Sequence, residues 1–433
     1  MAMKDEYDLI IVGGRPAGAS LAARLGAAGH RVLLLERARF PSLPAVPSSP
    51  ALYPSGMHML DDLGIPEADY AAATVQMDRL KIQFSDRFAA PFAVPELWGR
   101  SYVCALDRQI FDEVLWRNLE RFDSVERREG FAVTDLLRDE SGRVVGVVGR
   151  EGSGGVVEEL RARCIVGADG RFSLVARKAG APITEAEDRF CSTVYFATWD
   201  GVTLPEARCG FLFASGRGLD VLLLPLPGGR LQVNTHHRAD RAVIDGDAQG
   251  YYRRMLAAVP GVEDFLRGGS QRDDLVGIKR IGNGYRQSGG DGWLLVGDAV
   301  HYKDPADGQG IYDALLETKL LAEILDPWLK GASGHDWARV VDDWKRALLE
   351  ATRPMYLETV ARLQRELYDE PPEFAVKTLV RWTMTDPAYQ EQFMRYLSRD
   401  ISPTGWNSPK LMIGALARGL WRDITGRSRA SAR

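Results

Sequence analysis

The apolar residues of this chain come in three kinds of run. Residues 7–12 (YDLIIV) form a short, nearly continuous one, as expected of a strand buried on both faces. A glycine-rich turn follows, Gly13-Gly14-Arg15-Pro16-Ala17-Gly18. Over 17–28 small and apolar residues then recur at helical spacing through Leu21 and Leu25, with Gly29 where a helix stop belongs. Residues 31–35 (RVLLL) predict a second buried strand, ended by Glu36 and Arg37. Alternating runs, the second kind, cover 80–100 and most of 190–280 and predict half-covered strands. Residues 131–137, 144–148 and 156–167 are strand-like as well, with a turn at 152–155. Helical periodicity, the third kind, marks 108–121, 251–259, 310–325 and most of the chain after Trp328. Another buried strand is predicted at 292–296, and the Pro- and Ser-rich stretch 39–56 reads as irregular. No internal repeat is visible.

The order of these elements predicts two interleaved lobes and a helical end, which suits 433 residues, long for one core. Composition then removes several classes. Hydrophobic residues at 45% and charged residues at 26% are the balance of a globular protein. A formal charge of −4 gives no basic surface for nucleic acid. No apolar stretch approaches the ~18 residues of a membrane span. The opening Met-Ala-Met-Lys-Asp-Glu has no apolar signal core, so a cytoplasmic location is expected. Cys104, Cys164, Cys191 and Cys209 form no CxxC pair and no metal spacing, so no metal site is expected and a redox-active disulfide is disfavoured.

The first turn carries candidate chemistry. A dinucleotide turn needs one glycine to turn tightly, a second to let backbone approach the pyrophosphate, and a third to let the helix pack on the strand. Gly13 and Gly18 fill the outer positions, but Arg15 stands in the middle one, so GxGxxG is not strictly met. Context supplies the rest. A buried strand precedes the turn, a helix follows, and the next strand ends in Glu36, suited to ribose hydroxyls. The helix start at Pro16-Ala17 would offer amides and partial positive charge to a pyrophosphate. Arg15 either adds a phosphate contact or lies over the site.

Two further motifs agree. One is Gly167-Ala168-Asp169-Gly170, continuing through Ser173, Val175 and Arg177. The other is Gly297-Asp298-Ala299-Val300-His301, with Pro305 and Gly308-Gln309-Gly310 after it. Together the three resemble the flavoprotein aromatic hydroxylases, the p-hydroxybenzoate hydroxylase-like group, whose pattern is a Rossmann turn, a central GxDGxxSxVR and a late GDAxHxxxPxxGxG. The resemblance spans roughly residues 5 to 330. It implies an α/β fold (α+β overall). A Rossmann-type FAD-binding domain would be built from 1–80, 101–189 and 276–330. An inserted, mostly antiparallel β-sheet substrate domain would hold 81–100 and 190–275, and a helical C-terminal region 331–433.

The resemblance also assigns roles around FAD. Gly297 and Asp298 would meet the ribityl chain. Pro305 and the backbone of Gly308, Gly310 and Ile311 would lie at the pyrimidine edge, a helix start there putting its positive end near N1 and O2. Arg108 resembles a pyrophosphate contact and Val133 an adenine contact. Asp169 and Gly170 support the cofactor site and are tied to NAD(P)H use. No second dinucleotide fingerprint exists, so NAD(P)H, the expected electron donor, would bind transiently; a separate flavin reductase is the alternative source.

The implied activity is that of an NAD(P)H-dependent monooxygenase that hydroxylates an aromatic or other electron-rich small molecule through a flavin hydroperoxide, while the protein orients substrate and excludes water. The pattern singles out no base. His301, Tyr302 and Pro305 of the late loop are the catalytic candidates, although the commoner role of such a histidine is loop structure. Tyr53, His58, Tyr195, Phe213, His236 and His237 are candidate cavity walls, and only one of the adjacent histidines can face a cavity from a strand. The stretch GDAVHYKDPADGQG (297–310) is also similar to bacterial FAD oxidoreductases that merge with geranylgeranyl-reductase-like proteins, so a prenyl reductase is the alternative. The WxWxIP signature is missing, which leaves a halogenase as a minor reading, and the Baeyer–Villiger fingerprint is missing too. Residues 401–433 hold six basic residues and one acid, with Leu411, Met412, Ala415, Leu416, Leu420 and Ile424 on one helical stripe. Docking on the protein's own core is favoured there over membrane-surface contact.

Overall fold

The computed structural model describes residues 7–44 and 48–426. The first six residues, read above for the lack of a signal core, lie outside that range, as do Arg427, Arg429 and Arg433 of the basic tail. The chain opens with β1 (Tyr7–Val12), α1 (Pro16–Ala27) and β2 (Val32–Glu36). A hairpin, β3 (Arg79–Phe84) and β4 (Phe88–Ala93), precedes α2 (Arg108–Arg117) and β5 (Val125–Glu129). Next come β6 (Phe131–Arg138), β7 (Val144–Glu151), β8 (Val157–Gly167), α3 (Leu174–Ala179) and β9 (Ile183–Asp200). Then follow β10 (Cys209–Ala214), β11 (Leu219–Leu226), β12 (Arg230–Arg238), α4 (Ala248–Ala258), β13 (Val276–Arg286), β14 (Trp293–Leu295) and β15 (His301–Tyr302). The late helices are α5 (Gly310–Leu329), α6 (Trp337–Leu363), α7 (Pro387–Leu397) and α8 (Pro409–Ile424).

The first sheet runs β14-β8-β1-β2-β5 with its strands parallel. Helix α1 lies against β1, β2 and β5, α3 against β8 and β14, and β6 against β2, which is why β1 and β2 read as continuous apolar runs; Leu9, Ile10 and Ile11 are fully buried. An antiparallel ribbon, β6 and β7, grows from the end of β8. The second sheet runs β15-β13-β9-β12-β11-β10-β3-β4 and is antiparallel except where β3 joins β10. One face of it carries α4 over a core of Phe211, Phe213, Tyr251 and Tyr252.

The long strands β9 and β13 pair along much of their length. The boundary drawn from the pattern at 189/190 therefore falls inside β9, whereas that at 275/276 coincides with the start of β13. The first residues of β9 (ITEAEDR) alternate only weakly, which hid its start. The stretch 39–56 also holds a short strand, Ala51–Leu52, paired with Val103–Ala105, and the start of a helix at Pro54.

The C-terminal helices tie both lobes together. Buried Trp344 on α6 donates its indole N–H to the Leu295 carbonyl at 3.0 Å, and Phe393 on α7 packs edge-on against Phe92 of β4. Helix α8 presents Ala415 and Gly419 to the protein, with Arg418 bonded to the Asp386 carboxylate. Of the stripe predicted to dock, Leu420 and Ile424 instead face solvent together with Ile413 and Trp421. Gly419 sets that rotation, because a Cβ there would lie 2.2 Å from Trp382. Among the described residues no helix is long and apolar enough to cross a membrane.

Candidate functional site

Three chain segments interlock at the top of the parallel sheet. Gly13 has φ +106°, and a Cβ there would lie 2.4 Å from the Ala168 carbonyl oxygen, so the first turn rests directly on the central motif. A Cβ on Gly18 would meet the Gly13 carbonyl oxygen at 1.7 Å, the close strand–helix contact that the third glycine of such turns permits. Gly297, at φ +64°, would bring a Cβ within 2.9 Å of Ala17, so the late loop abuts the start of α1. Ser20 on α1 and Thr318 on α5 share a hydrogen bond at 3.0 Å and hold the two helices together.

Both helix starts are open. Pro16 begins α1 after Arg15, and no side chain caps that end; the same is true of Gln309 ahead of Gly310 and α5. Their first amides are free to meet an anion or a polar ring edge. Gly310 is exposed with nothing near its missing Cβ, whereas Ile311 points into the core. Glu36 is buried at the end of β2, where its carboxylate accepts from Gly14 N (2.7 Å) and Ala38 N (2.9 Å). Arg37 beside it is exposed. Val133 is half-buried on β6, in the ribbon that packs beside β2.

Asp298 is the accessible residue of its turn, while Gly297, Ala299 and Val300 are buried. No described residue hydrogen-bonds its carboxylate. It lies within the cleft, where desolvation by the surrounding protein raises its pKa despite the nearby Arg171. A solvent-facing carboxylate at the floor of a cleft, two uncapped helix starts and a buried acid at the end of β2 form a donor and acceptor set that fits an extended dinucleotide.

Asp169 turns inward. Its carboxylate accepts from Ser173 Oγ (2.5 Å), Leu174 N (2.6 Å) and Val175 N (3.2 Å) and so caps α3. Gly170 supplies the left-handed residue, φ +77°, that lets the chain turn into this cap.

Arg15 and Arg108 share a partner that the pattern did not single out. Asp112, fully buried, accepts from Arg15 Nη1 (2.5 Å) and from Arg108 Nε (3.1 Å) and Nη2 (3.0 Å). Arg15 also donates to Ser42 and the Leu43 carbonyl, and Arg108 to Ser48 Oγ. The acid four residues after Arg108 on α2 was the available signal. Asp112→Asn is expected to release both guanidinium groups. Breaking one side of a buried ion pair costs about 3–5 kcal/mol. Thermal unfolding of the apoprotein should show a clear loss, and an unchanged melting temperature would mean that Asp112 is not the anchor.

The late loop is stitched from below. His301 is buried, stacked on Tyr285 (4.5 Å between centroids) with Nδ1 3.1 Å from Glu317. Burial pushes its pKa down to about 3, so it stays neutral. The other Glu317 oxygen accepts from Gly297 N at 2.7 Å, and burial pushes that carboxyl well up. Tyr302 lies between the guanidinium groups of Arg171 and Arg286. Burial alone would raise Asp313, but Lys303 (2.7 Å) and Arg399 (2.5 Å) hold it down at about 2. Arg399 also donates to Gln309 Oε1 at 2.7 Å. Pro305 is half-buried and opens the short turn that ends at Gly308, φ +67°.

Beside that turn lies a cavity lined mainly by apolar side chains. The second sheet walls it through Leu80, Leu212, Leu222 and Leu224, and Ala306, Asp307 and Gly308 of the late loop line another side. Of the candidate wall residues, Tyr53 and His236 line it. His237 faces the other side of the sheet, bonded to Tyr251 (2.6 Å), as strand alternation requires. Tyr195 and Phe213 also belong to that opposite core, and His58 stacks on Trp98. Asp220, Arg362 and Glu366 line the cavity too. An acid inside the apolar run LDVLLLPL was a visible sign of Asp220, but nothing in the pattern of α6 marked Arg362.

Burial, and then Arg362, hold the His236 pKa down at about 4. The unfolded imidazole takes up its proton below about pH 6.5, whereas the folded one does so only near pH 4. Its contribution to stability is therefore present at neutral pH and lost as pH falls through that window. His236→Gln is expected to lose about 3 kcal/mol less than the wild type between pH 6.5 and 4. Urea unfolding at the two pH values measures this, and equal losses would refute the assignment.

Known proteins agree with this geometry. Residues 6–338 match the family described as "FAD binding domain". A 6-methylpretetramide 4-monooxygenase of Streptomyces rimosus is 31% identical over 308 residues, covering 70% of this chain and 71% of its own. A digeranylgeranylglycerophospholipid reductase of Methanopyrus kandleri is 28% identical over 321 residues, covering 74% and 76%. The fold is also that of the flavin-dependent brominase Bmp2, with a TM-score of 0.76 at 19% identity over 95% of this chain and 98% of that one. With its first turn, central motif and late loop closing on one cleft, the chain belongs to the FAD-binding-domain family of the flavoprotein aromatic hydroxylases and is an FAD-dependent oxidoreductase.

Proposed function

We propose that the protein is an FAD-dependent monooxygenase that hydroxylates an aromatic or other electron-rich small molecule, with NAD(P)H as electron donor. The observation that carries this reading is the position of the apolar cavity, one side of which is the loop at 306–308 that this reading sets beside the flavin. A substrate held against Leu212, Leu222 and Leu224 is thereby set beside the flavin loop and kept from bulk water. The similarity to a relative named as a monooxygenase supports the same class.

In this reading Glu36 accepts the ribose hydroxyls and the start of α1 faces the pyrophosphate. Arg108, steadied by Asp112, lies alongside. Asp298 meets the ribityl chain, and the amides of Gly310 and Ile311 face the pyrimidine edge. FAD, when bound, supplies electron transfer and oxygen activation. The partial positive charge at the start of α5 favours the extra electrons of the reduced ring. His301, neutral and bonded to Glu317, holds the loop and moves no proton. The test is NAD(P)H oxidation under ¹⁸O₂ with a panel of polycyclic phenols. Substrate-stimulated oxidation with ¹⁸O in the product is the expected result; oxidation without label in any product would refute oxygen insertion.

A second reading, a prenyl reductase, is favoured by the relatives named as digeranylgeranylglycerophospholipid reductases and by the length of apolar wall in the cavity. Reduction of an isoprenoid double bond without oxygen would establish it instead.

A further inference from the structure

The cavity is apolar except at one place. Asp220 on β11 and His236 on β12 are directly paired across the two strands, so their side chains leave the sheet on the same face. Arg362 on α6 lines the cavity with them, and all three are more than nine-tenths buried. Each has a polar atom with no hydrogen-bond partner: Asp220 Oδ1, Arg362 Nη1 and His236 Nδ1, the last 3.9 Å from the buried Asp304 carboxylate. Arg362 spends its Nε on Glu366 (2.7 Å), which leaves Nη1 as the spare donor. Buried polar atoms in native proteins are almost always satisfied, and each unsatisfied one costs stability. Three on one patch of one cavity mark where a ligand's polar atoms go.

Their chemistry specifies the ligand. Arg362 can only donate. Burial, with Glu366 nearby, pushes the Asp220 carboxyl well up, and either form of it can accept from a hydroxyl. Neutral imidazole offers one donor and one acceptor nitrogen. A matching ligand edge presents an acceptor oxygen to the guanidinium and a hydroxyl to the Asp220–His236 pair. We propose that Arg362, Asp220 and His236 form the subsite that takes the adjacent carbonyl and hydroxyl groups of a polycyclic hydroxyaryl ketone, the rest of whose rings lie along the leucine wall. This names the substrate class of the site described above and rests on that cavity being the substrate's.

The experiment uses oxidised holoprotein without reductant and follows the flavin absorbance as ligand is added. The probes are 1-hydroxyanthraquinone, which carries the hydroxyl beside a carbonyl, and anthraquinone, which lacks the hydroxyl. Wild type is expected to bind the hydroxyquinone at least tenfold more tightly. Arg362→Met and Asp220→Leu are each expected to erase most of that preference while leaving anthraquinone binding within twofold. Equal affinity of the wild type for both probes, equal weakening of both in the variants, or no binding of the hydroxyquinone would overturn the proposal. If Arg362→Met fails to fold, Asp220→Leu decides alone, since it exchanges the carboxyl for an apolar group of similar shape. No oxygen chemistry enters this measurement, so its outcome is separate from that of the ¹⁸O test. Preference without labelled product would keep the subsite and remove the monooxygenase reading, and labelled product without preference would do the reverse.

Discussion

Gly18→Ala is expected to yield a protein that unfolds at a markedly lower temperature and carries almost no FAD. The added methyl would sit 1.7 Å from the Gly13 carbonyl oxygen, far inside contact distance. That atom is backbone, fixed by a hydrogen bond from Gly13 N to the Leu35 carbonyl and by the Ala168 contact, so it cannot swing aside as a side chain would. The start of α1 must move away from β1. Forcing a methyl into a packed site costs about 1–3 kcal/mol, and the shift also moves the free amides of α1 from the place where a pyrophosphate would be held. Gly310→Ala is the informative partner. Nothing lies near that position in the protein itself, so the apoprotein should melt as the wild type does, and only FAD affinity should fall. Calorimetry of both apoproteins, with flavin content by absorbance, separates the two effects. A stable, fully flavinylated Gly18→Ala protein would show that the turn does not pack as described.

Asp298→Ala should leave the fold intact and purify largely free of flavin. The carboxylate takes no hydrogen bond from the described residues, so its removal unpicks nothing internal, and the raised pKa records what its burial costs. A hydrogen bond between a charged group and a ligand hydroxyl is worth about 1.5–3 kcal/mol, roughly ten- to a hundredfold in affinity. The visible flavin band after gel filtration measures the loss directly, and titration of the apoprotein with FAD gives its size. Full retention would remove Asp298 from the cofactor site. Because the residue props up no secondary structure, a small drop in melting temperature should vanish when wild type and variant are compared without FAD.

The dinucleotide half of the site was legible because it is made of backbone. Tight turns and close helix–strand contacts require glycine at fixed spacing, and strands buried on both faces have little choice but valine, leucine and isoleucine. Thus Gly13, Gly18, Glu36 and the run at Trp293–Leu295 could be placed from the pattern. The side-chain supports were not legible in this way. Asp112 serves two arginines from different segments, and Arg399 reaches Gln309 and Asp313 from a part of the chain beyond the span of the resemblance. Such pairings are set by tertiary contact and leave no periodic trace. The helix at 409–424 was placed, but its orientation was not, because Gly419 against Trp382 outweighs the larger apolar residues in deciding which face goes inward. His301 shows a different gap. A histidine in a cofactor loop reads the same whether it faces ligand or packing, and only its stacking on Tyr285 and its bond to Glu317 distinguish the two.

Arg399 joins the cleft's far wall to the loop at 297–311, which in turn closes on the turn at 13–18. The proposed cofactor cradle is therefore split between segments that leave the ribosome far apart in time. A nascent chain that has emerged only through its first lobe holds an open-ended groove, and the clasp over it exists only once residue 399 has been translated and docked. On that reading flavin capture comes late in biogenesis, and the yellow colour of a purified preparation reports chains in which Arg399 has docked on Gln309 and Asp313.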